Sequence, residues 1–323
     1  MARWIVALLV ALVPMVVAAP ANGTFPGRNG SILLTEELQR SGVYGEGKLV
    51  AVDPRTGRKR TIWQCGSIGP FGARPECDAV TTPAVSPTGD TAAVISGLRI
   101  SPPLRWTLTY IDLASASTRS VELPGDEYFP TDAHGRVLRW AGDGSSLSVV
   151  QSQTGSGWAD LHRRLSFDGT LGPAIGPLGA RSFDWSIDGR LVFEAASNLF
   201  VLSRDGGQRR LTWKGGTEPS WSPHGRWIAF TRAGQVWIMP SKGGRPRRLT
   251  EKGGERPAWS PDGRQIAFLR GQRNSMRKGD MFLYVLDRRR GRARRLGDEP
   301  VEPMGYGASV YISSPPEWQP LPR

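Results

Sequence analysis

The sequence is poor in the residues from which most active sites are assembled. Its 323 residues include three histidines (His134, His162 and His224) and two cysteines, Cys65 and Cys77. The histidines are scattered, which argues against a clustered metal centre, and no D-x-D-x-D-G run offers a calcium loop. No Gly-x-Ser-x-Gly turn presents a hydrolase nucleophile. No glycine-rich loop opens a helix to cradle a phosphate, because no convincing helix follows one. Beyond residue 17 no apolar run approaches the ~20 residues of a membrane-spanning helix. A non-enzymatic protein with no metal and no cofactor is therefore expected.

What the chain does hold is glycine, proline and tryptophan. There are 40 Gly, 26 Pro and 12 Trp, and 39% of residues are hydrophobic. That is enough apolar material for a sizeable core, so disorder is excluded for most of the chain. Gly and Pro fall singly between short β-type runs, which excludes long helical bundles. The formal net charge is +13. It is concentrated in residues 201–300, and arginine accounts for most of it. A basic face attracts anionic polymers, whereas charges on exposed strand edges keep molecules from pairing with one another.

The first segment reads as an export signal. Met1-Ala2-Arg3 is a short basic start, Trp4–Val17 is an apolar run, and Ala19-Pro20-Ala21 is an A-x-A cleavage site before Asn22. The expected division is a signal peptide over 1–21 and one domain over 22–323. An uncleaved anchor is the competing reading, for which the apolar run is short. In an oxidising compartment, Cys65 and Cys77 are most simply a disulfide, closing a short loop rich in Gly and Pro. The mature protein is expected to be secreted or periplasmic, with no membrane span after cleavage.

An internal repeat organises the rest. Trp221-Ser222-Pro223-His224-Gly225-Arg226-Trp227-Ile228-Ala229-Phe230 recurs as Trp259-Ser260-Pro261-Asp262-Gly263-Arg264-Gln265-Ile266-Ala267-Phe268. Weaker copies start at Trp185, Trp140 and Val85. In each copy an inner strand ends at the anchor, an Asp-Gly type turn follows, and a second strand leads to a third. The third strands are expected at Leu199–Leu202, Val236–Met239 and Phe282–Leu286. Fourth strands are expected at Arg209–Thr212 and Arg247–Thr250. Four antiparallel strands per repeat make a propeller blade.

The termini carry complementary halves of the motif. Phe25–Leu34 matches it from the turn onward, and Pro316–Pro320 matches only its first half. The expected fold is all-β: a six-bladed propeller closed by pairing of the C-terminal strand with the N-terminal blade, which removes open sheet edges.

These residues resemble the TolB-type propeller repeat, centred on a Trp-Ser-Pro-Asp-Gly turn and an Ile-Ala-Phe-like strand. The resemblance is specific at Trp221–Phe230 and Trp259–Phe268, and extends weakly over the mature chain. It implies a propeller without the additional α/β domain of TolB, and without the hydrolase domain that accompanies similar propellers in prolyl-oligopeptidase-like enzymes. It implies recognition rather than chemistry, and one fold serves many functions.

Candidate binding residues follow from loop length. Arg270, Arg273, Arg277 and Lys278 fall in a long loop between the second and third strands of one blade, and Arg99 and Arg105 in the equivalent loop of another. Insertions 64–83, 124–138 and 298–316 belong to the same face, and long loops on one face are where repeat folds place function. His224 holds a turn position where another copy has Asp262. Asp184, Glu218 and Glu317, beside the inner strands, are expected to line a central channel as solvated carboxylates. Trp140, Trp185, Trp221, Trp259 and Trp318 share one repeat position and read as blade packing. Trp63, Trp106, Trp158 and Trp213 lie near strand or loop ends, where packing is the first reading and ligand contact the second. The expected function is binding of a protein or envelope polymer by an exported monomer, not of nucleic acid. An enzyme acting on an envelope polymer, or a sensor of a small anionic ligand, is the alternative.

Overall fold

The computed structural model describes residues 25–40, 47–65, 77, 79–97, 105–123, 129, 137–141, 143–153, 159–177, 179–271, 281–298, 308–311 and 315–322. The segment 1–21, expected to be an export signal, lies outside the described residues. Every regular element among those described is a β-strand, and the strands form six antiparallel sheets.

The repeat explains the local structure. In Ser260-Pro261-Asp262-Gly263, the Ser260 hydroxyl donates to Asp262 Oδ1 at 2.6 Å and accepts the Gln265 backbone N–H at 2.9 Å. Gly263 takes φ 68°, the left-handed conformation that a tight turn favours glycine for. Ser86 and Asp90 repeat the hydroxyl–carboxylate contact at 2.8 Å where Val replaces the anchor Trp. The motif is therefore a hairpin clamp.

From inside outward, the second blade holds Ala84–Val85 with Ala79–Val80, then Thr91–Gly97, Trp106–Asp112 and Thr118–Glu122. The third holds Leu138–Trp140, Leu147–Gln153, Ala159–Leu165 and Leu171–Ala174. The fourth holds Phe183–Trp185, Leu191–Ala195, Asn198–Leu202 and Gln208–Arg210. The fifth holds Thr217–Trp221, Trp227–Arg232, Gln235–Pro240 and Arg247–Arg248. The sixth holds Glu255–Trp259, Gln265–Gly271, Met281–Asp287 and Ala293–Arg295. In the first, Glu317–Leu321 is innermost, followed by Arg28–Arg40, Gly47–Val52 and Lys59–Cys65. The C-terminal strand pairs with the N-terminal one through Ile32↔Trp318 and Leu33↔Glu317, so the ring closes as expected.

Two details depart from expectation. The fourth strands are shorter, because the Thr212 and Thr250 hydroxyls accept the Leu199 and Val236 N–H groups at 2.9 and 3.0 Å. Side chains thus take over where a backbone ladder was expected. Residues 308–311, within the insertion 298–316, form a strand against Glu37–Arg40. The first strand runs 13 residues, past the blade body, and its exposed edge takes up the extra pairing.

The core is divided among the six blade interfaces, each filled by its own hydrophobic cluster. Both faces of a blade are buried, so successive residues serve opposite neighbours. Ile228 and Phe230 pack with the fourth blade, while Ala229 packs with Trp259 of the sixth. Small residues recur opposite the anchor Trp, as in Ala93 with Trp140 and Ala267 with Trp318. Trp140, Trp221, Trp259 and Trp318 are buried, and Trp185 is half-buried.

Cys65 and Cys77 form a disulfide with Cα atoms 5.9 Å apart. It ties the outermost strand of the first blade to the chain entering the second.

Candidate functional site

The charged residues of the innermost strands are the first unusual feature. Immediately before the anchor, the six blades carry Glu317, Ala84, Arg139, Asp184, Ser220 and Ala258 in ring order. Arg139 pairs with Asp184 at 2.7 Å on one side and with Glu317 on the other. The first and fourth blades stand opposite each other in a six-membered ring, so the guanidinium between their carboxylates occupies the centre. Ala84, small and intervening between the third and first blades, leaves room for that reach. Arg139 and Asp184 are 4% and 0% exposed. Asp184 also accepts the Trp221 and Trp185 N–H groups at 2.7 and 3.0 Å. The paired carboxylates hold the Arg139 guanidinium above its ordinary value despite burial.

A second layer lies two residues earlier. Glu218 and Arg256 take φ 52° and 55° at β-bulges in the fifth and sixth blades. Each bulge frees a backbone N–H from the ladder. The Glu218 N–H donates to Glu194 at 3.2 Å, and the Arg256 N–H donates to Glu218 at 2.9 Å. Glu218 also accepts the Thr231 hydroxyl at 2.7 Å and faces the Arg256 side chain at 3.7 Å. Burial pushes the Glu218 carboxyl up to about 7 against these donors, and also raises Glu194.

This corrects the expectation for the channel. Asp184, Glu218 and Glu317 are buried, and they face Arg139 or Arg256, with backbone N–H groups also donating to Asp184 and Glu218. Arg139 and Arg256 were missed by sequence reasoning. A signal existed: the position before the anchor Trp carries opposite charges in Arg139-Trp140, Asp184-Trp185 and Glu317-Trp318.

The second feature is an uneven face. In the fourth and fifth blades, the second and third strands join through two residues, between Ala195↔Asn198 and Arg232↔Gln235. Ala196, Ser197, Ala233 and Gly234 all have positive φ, as in the primed turns that match strand twist. In the sixth, first, second and third blades the corresponding pairs end at Gly271↔Met281, Glu37↔Gly47, Gly97↔Trp106 and Gln153↔Ala159. Longer connections, 272–280, 41–46, 98–105 and 154–158, thus leave four contiguous blades on one face. The disulfide lies in a connection on this face.

Of the expected binding residues, Arg105 is exposed at this edge, beside Trp106. Arg270 is half-buried; its guanidinium lies over Phe268 and Tyr284 at 5.0 and 4.4 Å, and Nε donates to the Gly253 carbonyl at 3.0 Å. Arg99, Arg273, Arg277 and Lys278 lie outside the described residues. His224 is exposed in its turn, whereas His162 is buried with Nε2 3.2 Å from the Arg181 carbonyl. Burial pushes the His162 imidazole down to about 4. Trp106 is buried and Trp63 half-buried, but Trp213 is 69% exposed; Trp158 lies outside the described residues. Among the described residues, no group of three or more His, Cys, Asp or Glu is placed to hold a metal ion. No helix among them is long and apolar enough to cross a membrane.

No family model and no curated protein matches the chain. Solved structures do. TolB of Acinetobacter baumannii superposes with a TM-score of 0.65 at 18% identity, covering 90% of this chain and 67% of that one. An Agrobacterium tumefaciens protein described as TolB gives 0.59 at 20% identity, covering 91% and 100%. A periplasmic gluconolactonase of Pseudomonas aeruginosa gives 0.52 at 17% identity, covering 85% and 84%. At these identities the likeness is one of fold: the chain has the six-bladed propeller architecture of the TolB structures.

Proposed function

We propose that this chain is an exported, non-enzymatic propeller that binds a macromolecular partner, a protein or envelope polymer, through the face carrying the long strand connections. The observation that carries the reading is the one-sided extension of four contiguous blades beside two trimmed to two-residue turns. Trimmed turns suffice to build a blade, so the longer connections are surplus to folding and supply surface for recognition. The disulfide fits export, since such bonds persist in oxidising compartments.

The central cluster supports recognition over catalysis. Glu218 has the perturbed acidity of a candidate catalytic acid. Its oxygens, however, are engaged by Thr231 and Arg256, and burial keeps it from solvent. Arg139 fills the position where a channel ligand would sit. Crosslinking from opposite faces of the protein in its native host tests the reading. A probe at Arg105 is expected to capture a defined partner, and one at Ala114, in the opposite turn of the same blade, is not.

A further inference from the structure

The outermost strands of the fourth, fifth and sixth blades each carry an Arg-Arg pair: Arg209-Arg210, Arg247-Arg248 and Arg294-Arg295. In two of them the second arginine is neutralised by an acid three residues on. Arg248 pairs with Glu251 at 4.0 Å, and Arg295 with Asp298 at 2.9 Å. In the fourth blade that position is Trp213. The Arg210 guanidinium lies 5.7 Å from the Trp213 ring centroid, and its Nε donates to the Thr212 carbonyl at 2.6 Å. Trp213 is the one large hydrophobic side chain exposed among the described residues. The repeat thus contains its own control, and one copy exchanges a neutralising acid for an aromatic platform.

This exchange borders a groove of about 450 Å³ between the fourth and fifth blades, lined by Arg209, Arg210, Trp213, Lys214, Arg232 and Lys242. Among the described residues no carboxylate lines it and none of its five cations forms an ion pair. Arg232 is half-buried over Phe230 and Trp237, with Nε donating to the Gly215 carbonyl at 2.9 Å. Burial lowers its guanidinium, as expected of a cation with no anion beside it. Trp213 and Arg232 lie at the connection face, and Lys242 lies in a turn at the opposite one. The groove therefore follows the outer strand from face to face, and at the connection face it opens beside the two-residue turns.

We propose that this inter-blade groove binds an acidic saccharide chain, its carboxylates or sulfates held by the unneutralised cations and one sugar ring stacked on Trp213. Unpaired, converging cations meet the anionic groups, and the indole offers the flat apolar surface that the C–H face of a pyranose packs against. A single-stranded nucleic acid has related chemistry. The disulfide, which belongs to an oxidising compartment, favours the saccharide. The groove lies between the two blades with two-residue turns, outside the four blades with longer connections, and does not require those connections to bind a partner.

The test is titration of the whole protein with an oligogalacturonate, a neutral dextran oligomer and single-stranded DNA at low and high salt. Trp213→Glu installs the acid of the sister blades at an exposed position, and Trp213→Phe keeps a stacking ring. Oligogalacturonate is expected to bind with strong salt dependence, and dextran not to bind. Trp213→Glu is expected to weaken binding about tenfold or more, with most affinity kept in Trp213→Phe. Circular dichroism of Trp213→Glu matching that of the parent keeps misfolding from mimicking the result. The proposal is overturned by no binding of oligogalacturonate, by equal binding in Trp213→Glu, or by tighter binding of DNA.

Discussion

Arg139, on the innermost strand of the third blade, is ion-paired with Glu317, on the C-terminal strand that closes the first. The same guanidinium holds Asp184 of the fourth blade at 2.7 Å. One buried cation thereby joins the closing strand to two blades elsewhere in the ring. Removing one member of such a group leaves the others charged and dry, at a cost of ~3–5 kcal/mol. Arg139→Met is expected to lower unfolding stability by that order in a denaturant titration. Adding Asp184→Asn and Glu317→Gln is expected to recover most of the loss. A single variant as stable as the parent contradicts the ion-pair account.

The two buried titrating groups give opposite pH signatures. Glu218 holds its proton up to about 7 when folded, against an ordinary value of 4.5. Between these pH values the native state binds more protons, so this contribution falls as pH rises. His162 titrates near 4 when folded, against 6.5 ordinarily. There the unfolded state binds more protons, so this contribution falls as pH drops from 6.5 towards 4. Denaturation midpoints between pH 4 and 8 separate them by difference. Relative to the parent, Glu218→Gln should gain stability as pH rises from 4.5 to 7, and His162→Phe should gain as pH falls below 6.5. A difference flat in pH removes the corresponding assignment.

The Cys65–Cys77 bridge constrains a short connection and contributes roughly 2–4 kcal/mol through the unfolded chain. Reductant is expected to lower the melting temperature of the parent by several degrees and leave that of a Cys65→Ser/Cys77→Ser variant unchanged. Equal sensitivity in both proteins argues against the bond.

The blade architecture was legible because its signals are local. Ser260, Asp262 and Gly263 make a turn among themselves, and the alternation around Ala229 reports burial on both faces. Ring closure was legible for the same reason, since the two ends carry complementary halves of one motif. The central cluster was not. Whether Asp184 and Glu317 meet water or Arg139 depends on side chains from three blades far apart in sequence, and the repeat masks them behind the more regular Trp. In the sequence Trp213 reads only as one of four tryptophans near strand or loop ends. Its meaning came from the sister positions Glu251 and Asp298, whose pairing with Arg248 and Arg295 had to be seen in three dimensions. Arg270 reads in sequence as a loop cation, yet aromatic stacking draws it onto the blade.

The most direct test of the connection face is site-specific photocrosslinking in the native host, with the probe at Arg105 or at Ala114, repeated after residues 272–280 are replaced by a Gly-Ser linker of equal length. The expected result is one defined adduct from Arg105, none from Ala114, and loss or marked weakening of the adduct in the linker variant. Adducts from Ala114 alone, or an Arg105 adduct indifferent to the linker, would contradict the account and move recognition away from the extended blades.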